Sequence, residues 1–314
     1  MSRFRVVVSD QVFPSVEVEK ALLAEIDAEL EVATGSISDV LALAADADAI
    51  LNTYLPWDDD SISRLNRCRI IARYGIGFDN VDLAAARRAG IVVTNVPDYS
   101  VEEVAAHAVA LMLTVVRKIP WADQKVRAGS WAIDEFRPVH RLSELTVGLL
   151  GFGRIGRRVA AALQTFGVEI IVHDPYLSAA SDVPKLVEFD TLLARSDILS
   201  VHAPLTETTR GIIGEGAVAA MRPEAILINT SRGPLVDLGA VTGALREGRL
   251  SAAALDVFDE EPLDVSRIEG VPNLIVTPHM AYYSEEALEE SQRKAATQVV
   301  KVLSGLSPDY QVNG

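Results

Sequence analysis

Val147-Gly148-Leu149-Leu150-Gly151-Phe152-Gly153-Arg154-Ile155-Gly156 is the stretch whose reading decides the fold. Val147 to Leu150 form a short apolar run of buried-strand character, and Ile155 to Phe166 carry apolar residues at helical spacing. Between them stand three glycines spaced Gly-x-Gly-x-x-Gly. Gly151 allows a tight turn, Gly153 lets the backbone approach a pyrophosphate, and Gly156 lets the helix pack close against the strand. The helix start, with Arg154 and Ile155, offers N–H groups and a partial positive charge to phosphates. The next strand ends at Asp174, 23 residues after Gly151. An acid there accepts from ribose hydroxyls and repels a 2′-phosphate. Pro175 and Tyr176 follow, with no arginine beside them to hold that phosphate. The cofactor expected is NAD rather than NADP.

Outward from this core, β-branched runs alternate with Ala-rich helical stretches, which predicts βαβ units and parallel sheets. Upstream strands are expected at Phe4–Ser9, Ala47–Leu51, Arg69–Ala72 and Ile91–Thr94, with helices at Asp58–Leu65 and Val81–Ala89. Ser100 and Glu103 have capping-box spacing ahead of a long helix to about Arg117, and Pro120 is expected to stop it. Downstream strands are expected at Thr146–Leu150, Glu169–His173, Ile198–His202, Ala225–Asn229, Ala252–Asp256 and Leu274–Thr277. A last helix, Ser284–Leu303, has no strand after it. A length of 314 residues suits two domains. The fold class predicted is α/β, with two doubly wound parallel-sheet domains.

Charge and composition narrow the function. The net charge of −15 repels phosphate backbones and anionic lipid, so neither nucleic acid nor membrane is an expected partner. The run Val6–Val8 ends before Asp10 and is too short for a signal peptide. The apolar stretch Val104–Val116 is shorter than the roughly 20 residues of a membrane helix, and His107 interrupts it. A single cysteine, Cys68, allows no intrachain disulfide and fits a reducing cytoplasm. Asp58, Asp59 and Asp60 read as a solvated helix start, and no His or Cys cluster has metal-ligand spacing. His107 reads as a packed core or interface residue and His140 as a loop residue. Trp121 and Trp131 flank a basic stretch, Lys125–Gly129, that reads as a dimer arm.

Three strand ends carry polar chemistry: Asn229-Thr230-Ser231-Arg232-Gly233, Asp256-Val257-Phe258-Asp259-Glu260-Glu261-Pro262 and Thr277-Pro278-His279. Ligands of open parallel sheets sit beyond the carboxyl ends of strands, so all three can face one crevice. An enzyme that reduces a 2-keto acid needs a fork for a carboxylate, a polarised carbonyl and a proton donor. Arginine supplies the fork, histidine the proton, and a neighbouring carboxylate fixes the ring. Arg232, His279 and Glu261 make this set.

Val147–Gly156, Asp174-Pro175-Tyr176, Asn229–Gly233, Ala254–Pro262 and Thr277–Ala281 together resemble the D-isomer-specific 2-hydroxyacid dehydrogenases, over nearly the whole chain. The resemblance implies Arg232, Glu261 and His279 as catalytic residues, Glu261 being the acid that directly precedes the proline. It implies that Tyr74-Gly75-Ile76-Gly77 receives the substrate carboxylate and that Asp256 contacts the nicotinamide amide. It puts His202, Ala203 and Pro204, with Thr208, Thr230, Ser231, Arg232 and His279, against the cofactor. A NAD-binding Rossmann domain, 99–284, is implied as an insertion in a smaller flavodoxin-like substrate domain, 1–98 plus 285–314. A homodimer through the coenzyme domain is implied as well. Thr277–Ser284 and the segment from Val96 to Glu103 are most similar to the C-terminal binding protein branch. That branch has tryptophan where this chain has Tyr282, an aromatic expected to line the substrate pocket. Two other readings stay open: an NAD-sensing dimeric interaction protein like the corepressors of that branch, and a phosphoglycerate dehydrogenase-like enzyme.

Overall fold

The computed structural model describes residues 4–178 and 183–314. The chain divides into two compact units, Met1–Tyr99 with Ser284–Gly314 and Ser100–Tyr283. In the first, strand β1 (Phe4–Val8) leads through α1 (Glu17–Leu23) to β2 (Ala28–Val32). Helix α2 (Ile37–Ala44), β3 (Ala49–Asn52), α3 (Asp59–Ser63), β4 (Ile70–Arg73), α4 (Leu83–Arg88) and β5 (Val92–Thr94) follow. The five strands pair in parallel in the order β2-β1-β3-β4-β5. This doubly wound order reverses between β1 and β3, so the loops after those strands and after β4 share one end of the sheet. Strands β3 and β4 are buried on both faces, which is why they read as unbroken apolar runs.

The second unit opens with α5 (Val101–Val116) and α6 (Ile119–Arg127). Next come β6 (Thr146–Leu150), α7 (Arg154–Gln164), β7 (Glu169–His173), β8 (Lys185–Leu186), α8 (Phe189–Arg195) and β9 (Ile198–Val201). Then follow α9 (Glu215–Ala220), β10 (Ala225–Asn229), α10 (Leu238–Arg246), β11 (Leu250–Leu255) and β12 (Leu274–Val276). All seven strands are parallel, in the order β12-β11-β10-β9-β6-β7-β8. The order reverses between β6 and β9, so a ligand crevice lies at their carboxyl ends. Apolar side chains of α5 and α7 join β6 and β7 in one core. The chain then returns to the first unit as α11 (Glu285–Leu303), packed on α1, β3 and β4. Among the described residues no single helix is long and apolar enough to cross a membrane.

Two local expectations are corrected. Ser100 forms no capping box: its backbone, at φ −128° and ψ 24°, is outside the extended cap conformation, and its hydroxyl is buried without a partner. Pro120 does not itself end α5. The break falls at Lys118, in the left-handed region at φ 53°, and Pro120 lies in the first turn of α6, where its missing N–H costs nothing.

Candidate active site

The glycine loop is shaped by close backbone approach. Gly151 has φ +93°, and a Cβ there would lie 2.8 Å from the backbone of His202 and Ala203. A side chain is excluded on both grounds, and the ends of β6 and β9 meet across it. A Cβ on Gly156 would come within 2.7 Å of the Gly151 carbonyl oxygen, whereas at Gly153 it would meet open space. Gly153 caps α7 without a side-chain bond, so the dipole of an 11-residue helix points at that opening. Asp174 stands beside the loop, accepting from the N–H of Phe152 at 2.9 Å and of Tyr176 at 3.0 Å.

Buried polar atoms without protein partners lie at the same end of the sheet. They include Thr230 Oγ1 and His202 Nδ1. The other ring nitrogen of His202 is 2.9 Å from Ser200 Oγ, and desolvation pushes the ring's pKa down to about 4. His202 is therefore neutral at physiological pH. Ser231 Oγ donates to the Val201 carbonyl, joining the ends of β10 and β9. Thr208 is exposed and bonds Thr206. The open space at Gly153, the α7 terminus and the orphaned polar atoms fit a dinucleotide.

Beyond β10, β11 and β12 the three polar segments come together. Buried Asn229 folds the first of them: its Nδ2 donates to the Arg232 carbonyl and its Oδ1 accepts from the Ser231 N–H. Gly233 then presses against the second segment, where a Cβ would fall 1.8 Å from the Phe258 carbonyl carbon. Gly233→Ala is expected to destabilise the protein by about 3 kcal/mol in urea unfolding and to abolish activity, because neither backbone can retreat. The Phe258 N–H donates to Glu261 Oε1 at 2.9 Å, and Glu261 Oε2 lies 2.7 Å from His279 Nδ1.

Burial pushes the Glu261 carboxyl up, but the hydrogen bonds from His279 and Phe258 and the charges of His279 and Arg232 outweigh it. Its pKa is held below the ordinary 4.5. A lowered carboxyl stabilises the fold fully above its unfolded value, and that contribution fades as pH falls through the lowered one. Glu261→Gln should therefore lose stability at pH 7 relative to the parent and show a smaller further loss on acidification toward pH 3. Urea unfolding at the two pH values measures this.

His279 itself has φ +52°, a left-handed backbone held by N–H bonds to the carbonyls of Asp256 (2.8 Å) and Thr277 (3.0 Å). The Tyr282 ring meets its imidazole edge-on, with centroids 6.0 Å apart. Asp256 is wholly buried. Its Oδ1 accepts from Thr277 Oγ1 (2.5 Å) and the Met280 N–H (2.9 Å), and its Oδ2 from the Ala281 N–H (2.9 Å).

In the first unit, the loop after β4 turns its carbonyls inward. Those of Gly75, Ile76 and Gly77 accept from the Val96 N–H, Asn95 Nδ2 and Arg73 Nη1. Their N–H groups have no acceptor among the described residues. Successive unpaired N–H groups form an anion nest.

Residues 109–281 match the model of the D-isomer specific 2-hydroxyacid dehydrogenase NAD-binding domain. The chain belongs to this family. A glyoxylate reductase of Aeropyrum pernix is 39% identical over 100% of this chain and 97% of its own. A D-3-phosphoglycerate dehydrogenase of Methanocaldococcus jannaschii is 37% identical over 91% of this chain and 55% of its own. The chain thus spans about half the length of the phosphoglycerate dehydrogenases it matches. The Aquifex aeolicus D-lactate dehydrogenase crystallised with NAD and lactic acid superposes with a TM-score of 0.89, at 29% identity, covering 99% of both chains.

In this member of the 2-hydroxyacid dehydrogenase family, one expected substrate contact is reassigned. Tyr74 is buried, its hydroxyl donating to Glu19 and its N–H to the Asn52 carbonyl, while its carbonyl accepts from Ser291. Burial, and then the Glu19 charge, push its phenol well above the usual range. Tyr74 anchors the loop, and Gly75, Ile76 and Gly77 carry its available N–H groups. Both oxygens of the Asp256 carboxylate accept from the turn that bears His279. Sequence reasoning gave no role to Arg73, whose buried guanidinium bridges the Gly77 and Thr53 carbonyls. Its signal was a lone charge ending the apolar run Ile70-Ile71-Ala72.

Proposed function

We propose that the protein interconverts a small D-2-hydroxy acid and its 2-keto acid with NAD(H). The observation that carries this reading is the Glu261–His279 pair, joined through the Phe258 backbone and Gly233 to the Arg232 loop. NADH, when bound, supplies a hydride to the carbonyl carbon. Arg232 grips the carboxylate and polarises the carbonyl. His279 delivers the accompanying proton from Nε2 and takes it back in the oxidative direction, while Glu261 on Nδ1 orients the ring. The nest of Gly75, Ile76 and Gly77 is assigned to carboxylate binding, and Tyr282 to the wall around the substrate side chain. Asp174 supports preference for NAD over NADP.

The full-length similarity to a glyoxylate reductase supports a small, unphosphorylated substrate. NADH oxidation against glyoxylate, hydroxypyruvate, 3-phosphohydroxypyruvate and bulkier 2-keto acids tests this. Turnover of the first two is expected, with a lower KM for NADH than for NADPH. Silence across the panel would overturn the reading, and preference for the phosphorylated acid would reassign the substrate.

We assign the working form to a homodimer through the coenzyme domain, in the cytoplasm. Trp131 and Ile133, 88% and 79% exposed, and Ile119 and Val126 on α6 are large apolar side chains left uncovered within one 15-residue stretch, which supports this assignment. Light scattering should give twice the chain mass for the parent and a monomer for Trp131→Ser/Ile133→Ser.

A further inference from the structure

We propose that His107 is a positioning residue for His279, acting through Thr277 and Asp256. The inference rests on the acid–base reading of His279 and adds a residue to it. His107 belongs to α5, far from the polar strand ends in sequence, and it interrupts the apolar stretch Val104–Leu113 of that helix. Its Nε2 lies 3.2 Å from Thr277 Oγ1 and 3.7 Å from Asp256 Oδ1.

The proton inventory fixes the direction of each bond. Thr277 has one hydroxyl proton, and the 2.5 Å contact to the Asp256 carboxylate uses it. Toward His107 the hydroxyl can only accept, so His107 carries its proton on Nε2 and donates. The chain therefore runs from His107 to Thr277 to Asp256. The Asp256 carboxylate also gathers the N–H groups of Met280 and Ala281, and its backbone carbonyl accepts from the His279 N–H. Every residue of the turn from Thr277 to Ala281 except Pro278 thus bonds to Asp256, and the left-handed backbone of His279 sits at its centre. A non-glycine residue at φ +52° is held there only when its surroundings over-determine it. Thr277 is the member of that set that bonds Asp256 through a rotatable side chain, and the bond from His107 is a second restraint on that hydroxyl.

The test compares His107→Leu, Thr277→Val, His107→Gln and His279→Ala in the whole enzyme, reading kcat, KM for glyoxylate and NADH affinity by fluorescence. Gln places an N–H donor near the position of the imidazole Nε2. His107→Leu and Thr277→Val are expected to lower kcat by about 10- to 100-fold, the cost of a misplaced reacting group, with NADH Kd within about twofold of the parent. His107→Gln is expected to recover most of that loss. If His279→Ala abolishes turnover while His107→Leu and Thr277→Val behave as the parent, the positioning role fails and the acid–base reading stands. If His279→Ala itself retains turnover, the reading beneath the proposal fails. Equal losses of kcat and NADH affinity in His107→Leu, or no rescue by Gln, would also overturn the proposal.

Discussion

Replacing His279 with alanine is expected to lower kcat for 2-keto acid reduction by about 10³-fold, while NADH binds within about twofold of the parent. The asymmetry follows from where the ring's bonds go. Nδ1 is committed to Glu261, and the backbone N–H is committed to the turn. Neither touches the glycine loop, Asp174 or the α7 terminus, which are the elements fitted to the dinucleotide. Glu261→Gln should fall between parent and His279→Ala, since the amide can still hold the ring by a neutral hydrogen bond but no longer sets a negative charge beside it. The reductive direction, which needs the proton in place at the start, should suffer more than the oxidative one. Stopped-flow reduction of glyoxylate, set beside a fluorescence titration with NADH, separates the two effects. A His279→Ala enzyme with parental turnover would remove the proton donor from the scheme.

Much of this architecture was legible in the sequence because its signals are local. Strands β6, β7 and β10 begin and end where the apolar runs predict, since a buried parallel strand has no polar face to blur its limits. Gly151 and Gly156 read correctly because each answers a constraint within a few residues of itself or at the end of the adjacent strand. What escaped depends on sides and distances. Strand β2, Ala28-Glu29-Leu30-Glu31-Val32, lies at the sheet edge with alternate side chains exposed, so its glutamates masked it. Strand β8 is two residues long and carries no pattern at all.

The site shows the same division. Arg232, Glu261 and His279 are proposed from residue type and strand-end position, both of which sequence displays, and the Glu261–His279 bond itself is visible only in the fold. The burial of Tyr74 against Glu19 was not, because 55 residues separate them and only packing brings them together. The three donors to the Asp256 carboxylate come from a turn more than 20 residues downstream, a convergence that spacing does not display. His107 was read as a packed helix residue, and its bond to Thr277 spans 170 positions. Sequence shows which groups can do chemistry, and packing decides which of them support the others.

Arg232 tests that distinction directly, because Arg232→Lys keeps the charge and removes the fork. The expected result is a fall in kcat/KM for glyoxylate of about 10²- to 10³-fold, the usual effect of removing one preorganised donor from a developing oxyanion. Nη1 of Arg232 donates to the Ser231 carbonyl at 2.8 Å, which fixes the guanidinium plane before any substrate arrives. An ammonium cannot both hold that carbonyl and present two parallel donors to a carboxylate. The Glu261 carboxyl is lowered in part by the Arg232 charge, and lysine preserves that influence only where its shorter reach allows. A loss confined to KM would mean that Arg232 binds the acid equally in ground and transition states. A loss shared by kcat would mean that the same guanidinium also polarises the carbonyl. Parental kinetics in Arg232→Lys would show that charge alone suffices and that the geometry imposed by Asn229 and Ser231 serves the fold and not the reaction.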